Sequence, residues 1–306
     1  MRHQAAMPAG ASGAEAIAAP VAVIGARSLV GAQLLPLLTQ QGRSVLALSR
    51  RGEAPSAAPE MGGLRWQSLT ELDRAAGQAG FDPISHWLVL APIWHLPDYF
   101  AVLQRCGARR LVALSSTSRF SKAASSDAGE RALAARLAEA EEQLQHWASL
   151  HGVTWVILRP TLIYGYGRDQ NITRLARLIR RFGWFPLLGE GRGLRQPVHV
   201  DDVAAACFSA LLRGDNRAYN LSGAEVLSYR ALVERVFMVL QRQPRFVTVP
   251  LPLVRLVLPL VRWLPRYRDL TCAMAERMEQ DLVFDHNAAR HDLGFAPRAF
   301  EPQDVV

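Results

Sequence analysis

The sequence predicts an α/β protein in which a doubly wound parallel sheet of about seven strands carries a small, mainly helical C-terminal cap. Three observations predict this fold class. A glycine-bearing turn, GARSLVG, separates an apolar strand from a helix near the start of the chain, short apolar runs then alternate with helical patterns up to residue 160, and the alternation fades in the last third. The chain has 306 residues, of which 50% are hydrophobic, so it can bury one large core.

The strands are predicted from short runs rich in β-branched and apolar residues, each bounded by glycine, proline or a polar cluster. VAVIG opens the sheet, and TWVILRP ends the sixth strand at a proline. Because parallel strands need crossover connections, the helical patterns between them predict a sheet covered on both faces. The predicted strands are 21–25, 44–50, 64–69, 86–91, 109–115 and 154–160, with a shorter one at 219–223.

The helices are predicted where apolar residues recur at intervals of three and four. The first follows the glycine-bearing turn, and a long one rich in Ala, Leu and Glu covers about 128–150. Asp201 is predicted to cap a helix at 201–213, and the glycine-rich stretch 185–197 is predicted to be a loop. The other predicted helices are 97–106, 170–183, 228–241, 251–264 and 269–282.

The turn GARSLVG predicts a dinucleotide site. A backbone that approaches a diphosphate closely favours residues without a Cβ, and the helix N-terminus offers unpaired N–H groups. Gly25 and Gly31 occupy the outer glycine positions of the fingerprint, and Ser28 replaces the middle one, where its hydroxyl could donate to phosphate. The predicted cofactor-binding residues of this turn are Gly25, Arg27, Ser28, Leu29, Val30 and Gly31.

The second strand ends in Ser49, Arg50 and Arg51, which are predicted to bind the adenosine ribose. An acidic residue at this distance from the glycines would accept hydrogen bonds from the ribose 2′-hydroxyl of NAD, and the chain has arginine instead. Arginine suits a 2′-phosphate. NADP(H) is therefore favoured over NAD(H), and solvated arginines at a strand end are the alternative. These features divide the chain into a flexible leader at 1–20, an NAD(P)-binding Rossmann-type core at 21–165, and a C-terminal substrate or cap region at 166–306 that is interleaved with the end of the sheet.

Further motifs stand in a recognisable order: LAP (90–92), LSSTS (114–118), WVILRPTLIYGYG (155–167), RQPVHVDDVA (195–204), YNLSG (219–223) and DLGFAPRAF (292–300). Together with the glycine-bearing turn they resemble the extended short-chain dehydrogenase/reductase superfamily, in its NAD-dependent epimerase/dehydratase branch. The resemblance runs from Val21 to about Phe300. It implies that Leu90, Ala91, Pro92, Ser115, Pro160 and Ile163 also contact the cofactor.

In that family a Ser or Thr after the fifth strand and a Tyr-x-x-x-Lys pair on the next helix perform the chemistry. Ser116 and Thr117 match the hydroxyl group, but residues 100–163 contain no tyrosine, and Lys122 is the only lysine in the chain. Aligning the helix at 128–150 with the family puts either Leu133 and Leu137 or Ala132 and Arg136 at the two positions. The pair is therefore absent. Tyr164, or Tyr166 two residues further on, could donate the proton instead, and a packed or hydrogen-bonded structural role is the alternative for both.

The candidate substrate-binding residues are His95, Arg192 and Arg195. His95 follows LAP in the loop over the predicted crevice, and the family resemblance implies that the arginines contact a nucleotide-sugar diphosphate. Solvated side chains are the alternative for each, as they are for Lys122. His199, Asp201 and Asp202 stand close together, but Asp201 precedes a helix and no third ligand is evident, so no metal site is predicted.

Composition excludes several classes of partner. The net charge of +8 comes from arginines spread along the whole chain, which does not predict a nucleic-acid surface. Three widely spaced cysteines predict a reducing compartment, taken as the cytoplasm. Residues 249–268 are apolar with arginines on one helical face, so they could form core or pocket wall, contact a membrane peripherally, or contact a partner protein.

These observations predict an NAD(P)-binding, epimerase/dehydratase-like oxidoreductase that acts on a nucleotide-sugar or a similar hydroxyl or carbonyl substrate. The alternative is a catalytically silent NADPH-binding accessory or assembly protein, because the usual catalytic pair is missing. A homodimer through the helix at 128–150 is possible by resemblance. The glutamates of that helix, Glu139, Glu141 and Glu142, are alternatively expected to face water.

Overall fold

The computed structural model of the protein describes residues 20–49, 52–53, 61–250 and 272–305. In chain order the strands are β1 (Val21–Ile24), β2 (Val45–Ser49), β3 (Leu64–Ser68), β4 (His86–Val89), β5 (Arg110–Leu114), β6 (Thr154–Pro160), β7 (Ile163–Tyr164), β8 (Phe185–Leu188), β9 (Leu194–Arg195), β10 (Val198–His199), β11 (Arg217–Leu221), β12 (Leu227–Ser228) and β13 (Phe246–Val249). The α-helices are α1 (Leu29–Gln40), α2 (Leu69–Ala75), α3 (Phe100–Arg105), α4 (Ser118–Ser121), α5 (Ala128–His151), α6 (Ile172–Phe182), α7 (Val200–Leu212), α8 (Tyr229–Val239), α9 (Cys272–Glu279) and α10 (Asn287–Leu293), with 3-10 turns at Ile93–Tyr99 and Pro302–Val305.

A seven-stranded parallel sheet forms the centre of the described residues. Its order is β11-β6-β5-β4-β1-β2-β3, so the chain winds outward from β1 in both directions. Val23 pairs with Ala47 on one side and with Leu88 on the other, which puts the carboxyl ends of β1, β2 and β4 at one edge. The predicted Rossmann-type fold is confirmed, and this order places its ligand crevice beside β1 and β4.

Helices cover both faces of the sheet because its strands are apolar on both sides. One core cluster contains Val23, Leu34 and Val203, which come from β1, α1 and α7. The other contains Trp87 and Leu137, from β4 and α5, and extends to the 3-10 turn at Ile93–Tyr99. A third cluster, built from α6, α8 and the end of the chain around Phe300, forms the core of the C-terminal region.

Two local predictions are wrong. The stretch 185–197 is not only loop, because β8 pairs in parallel with β13 and β9 pairs antiparallel with β12. Asp201 does not cap α7: His199 is the N-cap, and its Nδ1 accepts the N–H of Asp201 at 3.2 Å. A side-chain acceptor two residues before the expected one therefore begins this helix.

Some predictions lie outside the described residues. These are the leader at 1–19, Arg50 and Arg51, the helix at 251–264, and most of the amphipathic stretch 249–268. Of the helices that the structure does describe, none combines the length and apolarity needed to cross a bilayer.

Candidate functional site

A groove of about 1140 Å³ opens at the carboxyl ends of β1, β2 and β4. Ligands of doubly wound folds bind at this edge of the sheet. Seven of the residues predicted from the sequence to bind the cofactor line it, and so does His95, which was predicted to bind substrate: Gly25, Arg27, Ser28, Ser49, Leu90, Ala91, Pro92 and His95. The groove is therefore built largely from the glycine-bearing turn and the LAP loop.

Both glycines of the turn have steric reasons to be glycine. Gly25 has φ +80°, and a Cβ there would lie 2.5 Å from the backbone nitrogen of Ala91. A Cβ on Gly31 would lie 2.4 Å from the carbonyl oxygen of Ala26, because α1 packs closely against the turn that precedes it. Real Cβ atoms do not approach backbone atoms so closely. The turn can therefore bring the start of α1 to the groove only if both positions are glycine.

Ser28 begins α1 as its N-cap. Its φ of −66° is ordinary for any residue, and its Oγ accepts the N–H of Gly31 at 3.0 Å. The Gly31 amide is therefore engaged, while the Ser28 hydroxyl proton can still donate to an anion. Leu29 and Val30 follow on the first turn of α1, at the positive end of the helix dipole.

The end of the groove beside β2 contains Ser49, whose Oγ accepts the N–H of Gly52 at 3.1 Å. Arg27 is exposed and lines the groove, so it provides a positive charge there. Because Arg50 and Arg51 lie outside the described residues, the basis of the predicted NADP(H) preference stays a prediction.

A second cavity, of about 370 Å³, contains residues from the ends of β5 and β6 and from the C-terminal region. The predicted catalytic residues Ser116 and Thr117 line it, as does the predicted substrate ligand Arg195. The other lining residues are Ser118, Ser121, Lys122, Thr161, Leu162, Asn171, Gln196, Tyr229, Arg277, Met278, Leu282 and Phe284. We call this space the serine cavity.

The two candidate catalytic hydroxyls differ in what they bind. Thr117 is buried, and its Oγ1 donates to the carbonyl oxygen of Pro160 at 3.2 Å. Ser116 Oγ accepts the N–H of Ser118 at 3.1 Å, which leaves its proton available to a ligand. Of the two, Ser116 is thus the better placed to donate to a substrate oxygen. The predicted cofactor contacts Pro160 and Ile163 line neither cavity.

Ser115 lies next to these residues but binds elsewhere. Its Oγ donates to Glu141 Oε1 at 2.6 Å, and Glu141 also accepts from the guanidinium groups of Arg119 and Arg159. Glu141 is fully buried, so the expectation that it faces water is wrong, whereas Glu139 and Glu142 are exposed. Ser115 therefore fixes the turn after β5 and does not reach either cavity.

Neither alignment of the long helix places a tyrosine or a lysine at the positions of the missing Tyr-x-x-x-Lys pair. Leu137 is buried in the core cluster shared with β4, and Leu133 packs against that cluster together with Trp94. Ala132 and Arg136 are exposed, and the Arg136 guanidinium stacks 4.7 Å from the Trp94 ring centre. In the first alignment apolar side chains of the core therefore occupy the positions of the proton-transferring pair.

Tyr164, the candidate for the missing proton donor, has structural contacts in the fold. The residue is fully buried and lines neither cavity. Its hydroxyl donates to the carbonyl oxygen of Ala299 at 3.4 Å and accepts the N–H of Glu301 at 3.3 Å, while its ring packs edge-on against Phe300. Tyr164 therefore anchors the end of the chain.

The two predicted substrate arginines are also placed differently. Arg192 is exposed, pairs with Glu190 and lines neither cavity. Arg195 lines the serine cavity, but its guanidinium donates to the carbonyl oxygens of Leu194, Gln280 and Arg277. Burial lowers the pKa of Arg195 to about 10, so it still carries its charge at neutral pH.

Sequence reasoning missed Tyr229 and Arg277, because neither belongs to a motif. Tyr229 lines the serine cavity, and burial raises the pKa of its hydroxyl to about 12. It can donate a hydrogen bond but is a weak proton source at neutral pH. Arg277 comes from α9 and pairs with Glu130, near the start of α5, which also lies 3.7 Å from Lys122 Nζ.

His199, Asp201 and Asp202 have structural partners. Asp202 accepts from the Arg298 backbone N–H and Nε, both at 2.9 Å, and Asp201 accepts from the hydroxyl of Tyr166. No group of three or more His, Cys, Asp or Glu within the described ranges is arranged to hold a metal ion.

The sheet order and the groove at the carboxyl ends of its strands define a Rossmann-type α/β protein. Residues 98–222, less than half of the chain, match the model of the NAD dependent epimerase/dehydratase family, in agreement with the resemblance carried by the motifs. The family is NAD(P)-dependent.

Several curated proteins are similar to this chain. It is 29% identical to an uncharacterized protein of Sinorhizobium fredii and 31% identical to the mitochondrial NADH dehydrogenase [ubiquinone] 1 alpha subcomplex subunit 9 of Arabidopsis thaliana, with 51% and 32% of this chain covered. These matches span only 39% and 25% of the relatives' own lengths. The 2-alkyl-3-oxoalkanoate reductase of Stenotrophomonas maltophilia is 26% identical, over 91% of this chain and 94% of its own.

Solved structures share the fold. UDP-glucose 4-epimerase of Thermotoga maritima, solved with UDP-glucose, superposes with a TM-score of 0.67 at 15% identity, covering 94% of this chain and 96% of its own. UDP-glucuronic acid 4-epimerase of Bacillus cereus, solved with NAD, gives a TM-score of 0.67 at 14% identity with the same coverage. At such identities the likeness extends to the fold alone.

Proposed function

We propose that the protein is an NAD(P)(H)-dependent oxidoreductase, epimerase/dehydratase-like in architecture, which holds its cofactor in the groove and its substrate in the serine cavity. One observation carries the proposal: residues predicted to bind the cofactor and Ser116 line two cavities at the carboxyl ends of one parallel sheet. A nicotinamide supplies hydride chemistry when bound. The substrate is a nucleotide-sugar or a similar hydroxyl or carbonyl compound, as in the predictions from the sequence.

The cofactor fits the groove for steric and electrostatic reasons. Gly25 removes the Cβ that would obstruct the turn, and the N-terminus of α1 presents positive amide dipoles to a diphosphate. Ser28 adds a hydroxyl donor at the same place. Arg27, with Arg50 and Arg51, would favour the extra phosphate of NADP(H).

Within the serine cavity, Ser116 would hydrogen-bond the reacting oxygen of the substrate. Its proton is free of protein acceptors, unlike that of Thr117. Water would then transfer the proton, because Tyr164 lines neither cavity and burial raises the pKa of the Tyr229 hydroxyl. This arrangement favours reduction of reactive carbonyl groups, where electrostatic stabilisation of the oxygen lowers the barrier.

The test combines cofactor titration with turnover. NADPH and NADH are titrated by fluorescence, and candidate carbonyl compounds and nucleotide-sugars are then added while absorbance of the reduced cofactor is followed. Ser116→Ala should lower kcat/KM by about 10²-fold and leave NADPH affinity unchanged, because it removes one donor to the reacting oxygen. Ser149→Ala, on the exposed side of α5, is the matched control. Failure to bind either dinucleotide at millimolar concentration would refute the proposal.

A second candidate is a silent NADPH-binding accessory or assembly protein. The apolar positions of Leu133 and Leu137 favour it, as does the similarity to a named subunit of NADH dehydrogenase. In this case NADPH at 100 times its Kd should stabilise the fold by about 2.7 kcal/mol. Thermal unfolding would record that stabilisation, and no tested substrate would oxidise the bound cofactor. The cytoplasmic location and the homodimer stay predictions.

A further inference from the structure

We propose that the serine cavity binds the anionic group of a small substrate, a carboxylate or a phosphate, through the ammonium group of Lys122. The inference rests on the proposed function in one respect, namely that this cavity is the substrate site. It narrows the substrate from any hydroxyl or carbonyl compound to a short oxo-acid, hydroxy-acid or phosphate ester.

The lining of the serine cavity has an unbalanced charge. Three cationic residues, Lys122, Arg195 and Arg277, line it, and no aspartate or glutamate is among its described lining residues. The nearby carboxylate of Glu130 contacts both Lys122 and Arg277, so one negative charge is shared by two positive ones. Its other oxygen accepts the Ser125 hydroxyl at 2.7 Å. An excess of positive charge therefore faces the cavity and favours an anionic ligand.

Lys122 is a cation of the cavity whose donors are available. The guanidinium of Arg195 is engaged by three backbone carbonyl oxygens, whereas Arg277 pairs with Glu130 through Nη1 alone and can support Lys122 in holding an anion. Lys122 Nζ lies 3.7 Å from Glu130 Oε1, which is longer than a hydrogen bond, and its side chain is 23% exposed. A lysine ammonium carries three donors, so it can bind an anion while it remains close to Glu130.

The position of Lys122 along the chain determines where the anion would bind. Lys122 is the C-cap of α4, and its backbone N–H donates to Ser118 O at 3.1 Å. Ser116, which we propose to bind the reacting oxygen, precedes the same short helix. The anionic group would thus be held about one helical turn from the reacting carbon. A volume of about 370 Å³ lies at the low end of the range for ligand pockets, which suits such a small acid.

A direct test uses the fact that Lys122 is the only lysine. Trinitrobenzenesulfonate modifies amines, and mass spectrometry of the peptide that contains Lys122 gives the modification rate at this one side chain. The reaction is run with NADP⁺ present and with acetoacetate, dihydroxyacetone phosphate or neutral acetone added, at constant ionic strength. We expect acetoacetate or dihydroxyacetone phosphate to slow modification at least fivefold, and acetone to have no effect. If only one of the two anions protects Lys122 from modification, that anion shows whether the cavity binds a carboxylate or a phosphate. Equal modification rates of Lys122 under all conditions would overturn the proposal.

A second measurement separates this inference from the proposed function. Lys122→Gln should raise KM for whichever anionic probe is turned over by about tenfold or more, change kcat less, and leave NADPH affinity unchanged. Lys122→Arg should recover part of the loss, and Arg174→Gln, on the exposed face of α6, is the matched control. Protection without turnover would retain the anion site and refute the oxidoreductase function. If an anionic probe is turned over and Lys122→Gln does not change its KM, the oxidoreductase function is retained and the anion site at Lys122 is refuted.

Discussion

Replacing Glu141 by glutamine should destabilise the protein strongly, although the two side chains have nearly the same volume. Glu141 is the fully buried carboxylate that Ser115, Arg119 and Arg159 share. Arg159 Nε lies 3.0 and 3.1 Å from its two oxygens. The glutamine variant removes the negative charge and leaves two guanidinium groups in a site from which most water is excluded.

The magnitude follows from the burial of the partners. Removing one partner of a buried ion pair costs about 3–5 kcal/mol, because the remaining charge is neither paired nor hydrated. The side chains of Arg119 and Arg159 are 22% and 14% exposed, so water can partly hydrate them. We therefore expect Glu141→Gln to lower the free energy of unfolding by about 3 kcal/mol, the lower end of that range. For a chain of this size that corresponds to a fall in Tm of about 6 °C.

Urea unfolding followed by circular dichroism measures this loss. Glu142→Gln is the matched control on the same helix, because Glu142 is 71% exposed and its oxygen lies 3.7 Å from Arg119. That exposed pair should contribute less than about 1 kcal/mol. Equal, small effects of the two substitutions would refute the argument that one buried carboxylate stabilises the turn after β5.

Three further predictions concern the groove, a histidine and the thiols. Gly25→Ala should weaken NADPH binding by at least about tenfold in a fluorescence titration, because the added Cβ would meet the loop after β4. Gly42→Ala is the control, since Gly42 has φ +70° and a Cβ there would meet nothing within 4 Å. It should cost about 1 kcal/mol of stability and leave NADPH affinity unchanged. Burial lowers the pKa of His86, and nearby arginines add to the effect, so the folded state favours the neutral imidazole. The free energy of unfolding should therefore fall as the pH drops below about 6.5, with a slope of at most about 1.4 kcal/mol per pH unit. His86→Gln should reduce that slope in urea unfolding at about pH 5 to 7. Burial raises the thiol pKa of Cys106 to about 11 and that of Cys207 to about 12. A thiol reagent at about pH 8 should therefore label at most one of the three cysteines in the folded protein and all three in denaturant. Rapid labelling of two cysteines in the folded protein would contradict the burial of Cys106 and Cys207.

Much of the fold could be predicted because the sheet is parallel and buried. Its strands are continuous apolar runs, and the predicted strands overlap the observed β1 to β6 and β11. The strands beyond residue 165 were harder to predict, because they are only two to five residues long. β8 lies in a glycine-rich stretch, and its pairing with β13 joins segments about 60 residues apart, which no local pattern reveals.

The sequence by itself indicated the groove, since the glycine-bearing turn and the LAP loop are short motifs and Gly25 must lack a Cβ to lie against the backbone of Ala91. It also determined that the Tyr-x-x-x-Lys pair is absent. Only the tertiary structure decided the surroundings of the serine cavity: Tyr164 is buried against the end of the chain, Arg195 is engaged by carbonyl oxygens, and Lys122 is left facing the space. The physical reason is that local backbone sterics depend on neighbours in sequence, whereas the burial and charge of a side chain depend on segments that reach it from far along the chain.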